Sequence, residues 1–272
     1  GDGTVHEPDY TYPVKGAREL FAQDDLTIVN LEMVLTNRTT PRSGDKSFNL
    51  RGKPEYAQIL KEGSIEVANL VNNKMKNYGD DGYRDTREAV RKVGVTAIGF
   101  NNVDNAETVT LANGVKVGFL SYMPMQGLGA DKSNDAIKSR VRKAKRENDI
   151  VIVQFHFTDM TILRQQRVKA PQVNAARSAV EGGADLVVGH HTHLISGIEK
   201  YKGRYIAYGL GSLISTGDQA MLDTFVIRQT FLVGQDSSGT FVETPAPTVY
   251  PGCVSSAPKT TKKNRLNNCQ PY

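Results

Sequence analysis

The sequence predicts an α/β fold with mixed β-sheets, on three observations. Short apolar runs alternate with amphipathic helical stretches along most of the chain, the pattern of strand–helix–strand layering. Two hairpins interrupt that alternation, so the sheets are mixed rather than purely parallel. Several apolar runs also end in polar side chains, where layered α/β proteins place their ligands.

The elements justify this reading in order. Leu26–Glu32 (LTIVNLE) reads as a buried strand ending in polar residues. Lys53–Gly63 reads as a helix with a glycine stop, and Ile65–Asn73 as the next strand. Gly82–Gly94 carries apolar or small residues at Ala89, Val90 and Val93 among charges, a helix before the strand Val95–Phe100. Glu107–Met123 is a hairpin turning at Asn113-Gly114. Ala136–Asn148 is a surface helix, Asp149–His156 a strand, Gln172–Gly183 a helix and Ala184–His191 a strand. Gly197–Gly211 is a second hairpin turning at Lys202-Gly203, and Val233–Thr240 holds another turn. Thr36–Ser47 is a polar loop or hairpin excursion. No repeat, low-complexity tract or interdomain linker stands out, so one domain over 1–272 with a C-terminal appendage at about 245–272 is expected.

Composition narrows the function classes. At 272 residues the chain is long enough to bury a sizeable core without staples. The net charge of +5 is mild and its cations are scattered, apart from a basic tail at Lys259–Arg265, so nucleic acid is not expected as a partner. No apolar run reaches the ~20 residues of a membrane helix. No signal peptide is visible, and the chain begins inside what reads as a motif, so a mature or trimmed form is expected. Cys253 and Cys269 lie in turn-rich surroundings. A disulfide between them would contribute about 3 kcal/mol and imply an oxidising compartment; two free thiols are the alternative.

The strand ends carry the chemistry. They present Asn30 and Glu32, Asn72 and Asn73, Gln154 and His156, then His190, His191 and His193. Four of the five histidines therefore sit at strand ends, and the fifth, His6, lies near Asp2. A His-x-His pair such as His191 and His193 aims both imidazoles to one side if the chain stays extended. Alone, that pair fits a packed or solvated loop equally well. With His156, Glu32, Asn73 and Asp2 it suggests a metal site. Carboxylate, amide oxygen and imidazole suit Mn, Fe or Zn, as one or two divalent ions, rather than calcium or thiolate chemistry. Paired metals about 3.5–4 Å apart clamp the attacking and leaving oxygens of a phosphoester displacement.

These segments resemble the bacterial capsule-synthesis (CapA, poly-γ-glutamate biosynthesis) family, which is similar to the calcineurin-like metallophosphoesterases. DLTIVNLE resembles the family's strand ending in Asn-Leu-Glu. NLVNNKMKNYGDDGYRDT resembles its Asn-Asn-His block, and DIVIVQFHF its strand ending in His-Trp-Gly. GGADLVVGHHTHLISGIEKYKGRYIAYGLGSL, the most specific segment, resembles its Gly-His-His-Pro-His block and the Tyr-Ser-Leu-Gly-Asn-Phe that follows. GDGTVH is similar to the opening Gly-Asp motif, and TVYPGC to the final strand.

The resemblance implies a four-layer αββα sandwich of the metallophosphatase type with two mixed β-sheets. It also implies an extracellular or membrane-anchored protein of the cell envelope, partnered with membrane-bound polymer synthesis or export proteins. Carried over by residue, it makes Asp2, Glu32, Asn73, His156, His191 and His193 the metal-ligand candidates. Lys74 and His190 become candidates for the chemistry, although His190 also reads as a residue that shapes the loop. Arg51, Asn72 and Ser212 become candidates for holding substrate.

Four departures bear on activity. Lys74 replaces the histidine of Asn-Asn-His, the family's candidate general acid, and a lysine of ordinary pKa, roughly 10.4, is a poor acid at neutral pH. It can still act as a point charge on a bound phosphate or carboxylate. HFTD replaces His-Trp-Gly and its following glutamate, with Asp159 as the stand-in; Thr192 replaces proline, and Ser212 replaces asparagine. Three functions follow. The first is a metal-dependent hydrolase or ligase-accessory enzyme acting on a phosphoester or amide-linked polymer. The second is a non-catalytic scaffold that holds an anionic polymer or an export partner through Lys74 and Arg51. The third is a metal-free sugar-binding or structural domain.

Overall fold

A computed structural model of the chain describes residues 9–42, 49–99, 105–123, 133–157, 167–214, 223–237 and 239–253. Asp2, His6, Asp159 and the expected Cys253–Cys269 pairing lie outside the described residues. The chain divides into two compact units, Gly1–Gly99 and Phe100–Tyr272, and each is mixed α/β.

The first unit contains α1 (Arg18–Phe21), β1 (Ile28–Asn30), β2 (Val34–Leu35), β3 (Arg51–Gly52), α2 (Gln58–Glu62), β4 (Val67–Asn69), α3 (Gly79–Lys92) and β5 (Thr96–Ile98). β1, β4 and β5 form a parallel sheet in that order, with Ile28 opposite Val67 and Val67 opposite Thr96. Parallel strands need long crossovers, and here the segments carrying α2 and α3 supply them. The expected helix after Lys53 begins as a 3-10 turn at Pro54–Ala57, because Pro54 presets φ but has no N–H to donate, and it stops at Gly63. α3 starts three residues earlier than the sequence suggests. Asp80 and Asp81 in its first turn complement the helix dipole, and Thr86, Ala89 and Val90 are buried. β2 and β3 form a short parallel pair of their own.

The second unit contains β6 (Glu107–Thr110), β7 (Lys116–Tyr122), α4 (Asn134–Glu147), β8 (Ile150–His156), α5 (Ala170–Gly182), β9 (Leu186–His190), β10 (Ile198–Tyr201), β11 (Arg204–Ala207), β12 (Asp223–Arg228), β13 (Leu232–Asp236), β14 (Gly239–Glu243) and β15 (Thr248–Cys253). Six strands form one mixed sheet in the order β10-β11-β9-β8-β7-β6. The four inner strands are parallel, and each edge strand is an antiparallel hairpin mate of its neighbour. Both expected hairpins are present. Gly114 (φ 86°) takes the left-handed position of the first turn, and Lys202 and Gly203 (φ 48° and 79°) make the second.

Alternation along β8 sorts its side chains. Val151, Val153 and Phe155 join Ile137, Val141 and Ala144 of α4 and Ala175, Ala176 and Ala179 of α5 in one core. Ile152, Gln154 and His156 therefore point to the opposite face. All seven β8 residues are buried, which is why the segment reads as a continuous apolar run. Burying each large aliphatic or aromatic side chain contributes roughly 1.5–3 kcal/mol. Ser133 caps α4, its Oγ accepting from Ala136 N at 3.1 Å.

A buried carboxylate ties this unit together. Asp185 Oδ2 accepts from Val151 N at 2.8 Å and from Lys145 Nζ at 2.7 Å, and Asp185 Oδ1 lies 3.3 Å from Arg204 Nη2. β12 pairs with β15 and β13 with β14, both antiparallel. Arg204 reaches this region by donating to Val242 O at 2.7 Å and to Thr244 Oγ1 at 3.2 Å.

Candidate metal centre

Each unit gathers polar side chains at the carboxyl ends of its parallel strands. In the first unit these are amides and a carboxylate. Asn69, fully buried at the end of β4, donates to Asn30 Oδ1 at 3.4 Å and accepts from Val71 N at 3.0 Å. Asn72 donates to the same Asn30 oxygen at 3.2 Å and to Leu31 O at 2.9 Å. Its own oxygen accepts from Lys74 N and Met75 N at 3.2 and 3.1 Å, which fixes the turn after β4. Asn30 in turn donates to Glu32 Oε2 at 3.4 Å.

This ladder holds Glu32 two residues beyond β1. Burial pushes the Glu32 carboxyl up to about 7, against the pull of Lys74's charge and the Asn30 hydrogen bond. A group poised there takes up or releases a proton near neutrality, or supplies a carboxylate to a cation. Lys74 and Asn73 follow Asn72 and are both partly exposed. Arg51, on β3, donates to Thr36 O at 3.4 Å. The Asn72 amide is committed to neighbouring backbone and to Asn30, so its work here is to shape the loop that carries Asn73 and Lys74. The sequence reading passed over Asn69. Its signal was an asparagine closing the apolar run VAN.

In the second unit the strand ends carry imidazoles. His156 closes β8 and His190 closes β9, side by side in parallel register. His190 Nε2 lies 3.2 Å from Gln154 Oε1, which orients its ring, and burial holds its pKa down to about 4. Burial therefore favours the neutral form of His190, which brings no positive charge to the strand ends.

The chain leaves β9 along a path fixed by close packing. Phe157 N donates to His190 O at 3.2 Å. A Cβ on Gly189 would sit 2.4 Å from Tyr208 O and 2.8 Å from the Phe157 ring, so only glycine fits there. Ser196 N donates to Gly209 O and Gly211 N to Leu194 O, folding the loop back along the segment after β11.

The chain does not stay extended through His191 and His193, although their ring centroids still lie 6.5 Å apart. Both take left-handed backbone angles, with φ of 100° and 57°. The turn buries His191 (4% exposed) and leaves His193 exposed. His191 Nδ1 instead comes to 3.2 Å from His156 Nε2, with the ring centroids 5.0 Å apart and edge-to-face. His193 Nδ1 lies 3.3 Å from Ser212 Oγ, so serine, where the family has asparagine, still holds this imidazole.

The His156–His191 spacing tests whether the residues fit a metal. Two imidazole nitrogens at about 2.0–2.1 Å from a tetrahedral ion stand roughly 3.3 Å apart. The two buried ring nitrogens stand at that spacing, a separation that an N–H···N hydrogen bond between the rings also gives. Among the described residues of this unit the nitrogen pair therefore fits a divalent ion, with Zn, Fe or Mn as the chemically matched choices.

Residues 2–217 match the family model described as bacterial capsule synthesis protein PGA_cap. The PGA biosynthesis protein CapA of Bacillus subtilis is 29% identical over 212 residues, covering 72% of this chain and 54% of that protein. The capsule biosynthesis protein CapA of Bacillus anthracis is 28% identical over 201 residues, with 67% and 48% covered. A probable polyglutamine synthesis accessory protein of Mycobacterium tuberculosis is 24% identical over 215 residues, with 70% and 55% covered. The chain thus spans about half the length of the curated relatives it matches. Its NLE, NN, QFH and GHHTH strand ends all fall within the matched stretch, and the chain belongs to the bacterial capsule synthesis protein PGA_cap family.

Proposed function

We propose that the protein is a divalent-metal-binding component of poly-γ-glutamate capsule production. It works at the outer face of the cell envelope beside membrane-bound polymer synthesis or export proteins, and it acts as a metal-dependent hydrolase on a phosphoester or amide-linked substrate. The observation that carries the metal is the buried 3.2 Å approach of His191 Nδ1 to His156 Nε2. The printed names of the Bacillus relatives support the capsule role. The proposal adds Glu32 and Asn73, with Asp2, as oxygen ligands and His193 as a further imidazole. It includes the four-layer αββα frame that the family resemblance implies.

When bound, the metal would polarise a phosphoryl or carbonyl oxygen and make water a better nucleophile. The chain's own residues set the rest. Gln154 orients neutral His190 for proton transfer, Ser212 steadies His193, and the Asn30–Asn69–Asn72 ladder holds Glu32 and presents Lys74. Arg51 and Lys74 supply positive charge toward a phosphate or carboxylate.

Elemental analysis of protein purified without chelator, beside His191→Ala, tests the reading. Bound Mn, Fe or Zn that is lost in the variant, with phosphodiester turnover lost in parallel, is the expected result. A wild type that holds no metal and takes up none sinks it.

One observation favours a second reading, a non-catalytic holder of anionic polymer on the same fold. Lys74 stands where the family has its acid, so no histidine serves that position. Lys74→His separates the two: an enzyme keeps or gains turnover, whereas a holder loses polymer affinity.

A further inference from the structure

We infer that the outer face of α4 is a binding stripe for a linear polycarboxylate, at a place separate from the strand-end histidines. The inference rests on the polyglutamate reading above. α4 carries six cations, Lys138, Arg140, Arg142, Lys143, Lys145 and Arg146, against two acids, Asp135 and Glu147. Two of the cations turn inward and are used within the unit: Lys138 Nζ donates to Glu181 at 2.9 Å and Lys145 Nζ to Asp185 at 2.7 Å.

Three face solvent. Arg142, Lys143 and Arg146 are exposed, with Ser139 one turn before them and Glu147 the acid on the same face. Lys143 donates to Asn105 Oδ1 at 2.6 Å, a neutral acceptor. Arg142 and Arg146, four residues apart, stand one above the other about 6 Å along the axis. Two guanidinium forks in such a row match successive carboxylates of an extended chain, each able to grip two oxygens.

The face also argues against a membrane as its partner. The apolar residues of α4, Ile137, Val141 and Ala144, are buried against the sheet core. No apolar stripe is left to enter an acyl layer, which surface-lying membrane helices require. The stripe also lies behind the sheet from His156, because α4 packs on the Val151, Val153 and Phe155 side of β8. A polymer lying on α4 would leave the strand ends open.

The test is titration of the intact protein with poly-γ-glutamate. Uncharged polyglutamine serves as control, and a parallel arm uses phosphatidylglycerol–phosphatidylcholine vesicles. Arg142→Glu/Arg146→Glu is compared with the milder Arg142→Gln/Arg146→Gln, each checked by circular dichroism so that misfolding is not read as lost binding. Poly-γ-glutamate is expected to bind the wild type, and to bind at least about tenfold more weakly when salt rises from about 0.05 M to 0.3 M. Binding by the Glu variant should fall at least about tenfold and by the Gln variant less, with metal content unchanged in both. Polymer binding that ignores both substitutions overturns the inference, as does binding to vesicles but not polymer. His191→Ala separates this from the metal reading. If the metal reading alone fails, polymer binding still depends on Arg142 and Arg146. If the stripe alone fails, metal is retained but the substitutions change nothing.

Discussion

The two units end their parallel strands in opposite chemistry. The first closes with amides that spend their hydrogen bonds on one another and on nearby backbone, and what they present outward is Glu32 and Lys74. The second closes with imidazoles held by shape: a glycine too crowded for a Cβ, a loop folded back on itself, two left-handed backbone angles. The difference teaches that the asparagines build position and the histidines spend it. A side chain whose polar atoms are all engaged cannot also grip a ligand, whereas His156 and His191 face each other at a ligand pair's spacing.

Substitutions can break or sharpen this contrast. Asn72→Ala should have the largest effect on folding, because four hydrogen bonds go and buried backbone groups lose their partners. A loss of about 2–3 kcal/mol in urea unfolding is expected; a loss under about 0.5 kcal/mol would show that the ladder is incidental. His191→Ala should instead act on metal, lowering its affinity at least about tenfold by competition with a chelating dye. The cost in stability should be about 1–2 kcal/mol. His193→Ala tests the turn directly. As a further, exposed imidazole it should weaken metal in the same assay but by less than His191→Ala, and an effect equal to that of His191→Ala would make the two imidazoles equivalent ligands.

The smallest effect lies away from both strand ends. Glu181 accepts from Lys138, Tyr201 and Lys202, and these bonds pull its carboxyl from 4.5 down to about 2. Its folded pKa is depressed, so its contribution to stability is present above about 4.5 and is lost as pH falls from there toward about 2. Glu181→Gln should flatten that part of the acid-unfolding curve, more visibly at low salt. An unchanged curve would mean that these contacts are too exposed to matter.

Much of this was legible in the sequence, for identifiable reasons. Asn113-Gly114 and Lys202-Gly203 marked hairpins because turn geometry is local. IVIVQFH marked a buried inner strand because seven apolar or terminal residues leave no solvent face. QFH and GHH placed imidazoles at strand ends because strand length is itself readable. Illegible were the features set by packing from far along the chain. The left-handed turn at His191 has no glycine to announce it and is imposed by the contacts of Gly189, Leu194 and Gly209. Asn69 looked like an ordinary strand residue, because its importance lies in a partner 39 positions away. β2 with β3 and β12 with β15 gave too few residues, or too mixed a pattern, to declare their mates.

Asp185 has one more consequence, in the order of opening. Its carboxylate draws together a helix, two strands and the bend that leads into β9, from positions 145, 151, 204 and 185. None of these segments can leave without breaking the same bonds, so they should open as one cooperative block. The Val151 amide proton, donated straight into that carboxylate, should then be among the last in the chain to exchange with solvent deuterium, and β13 and β14, tied to Arg204 through Val242 O, should exchange well before it.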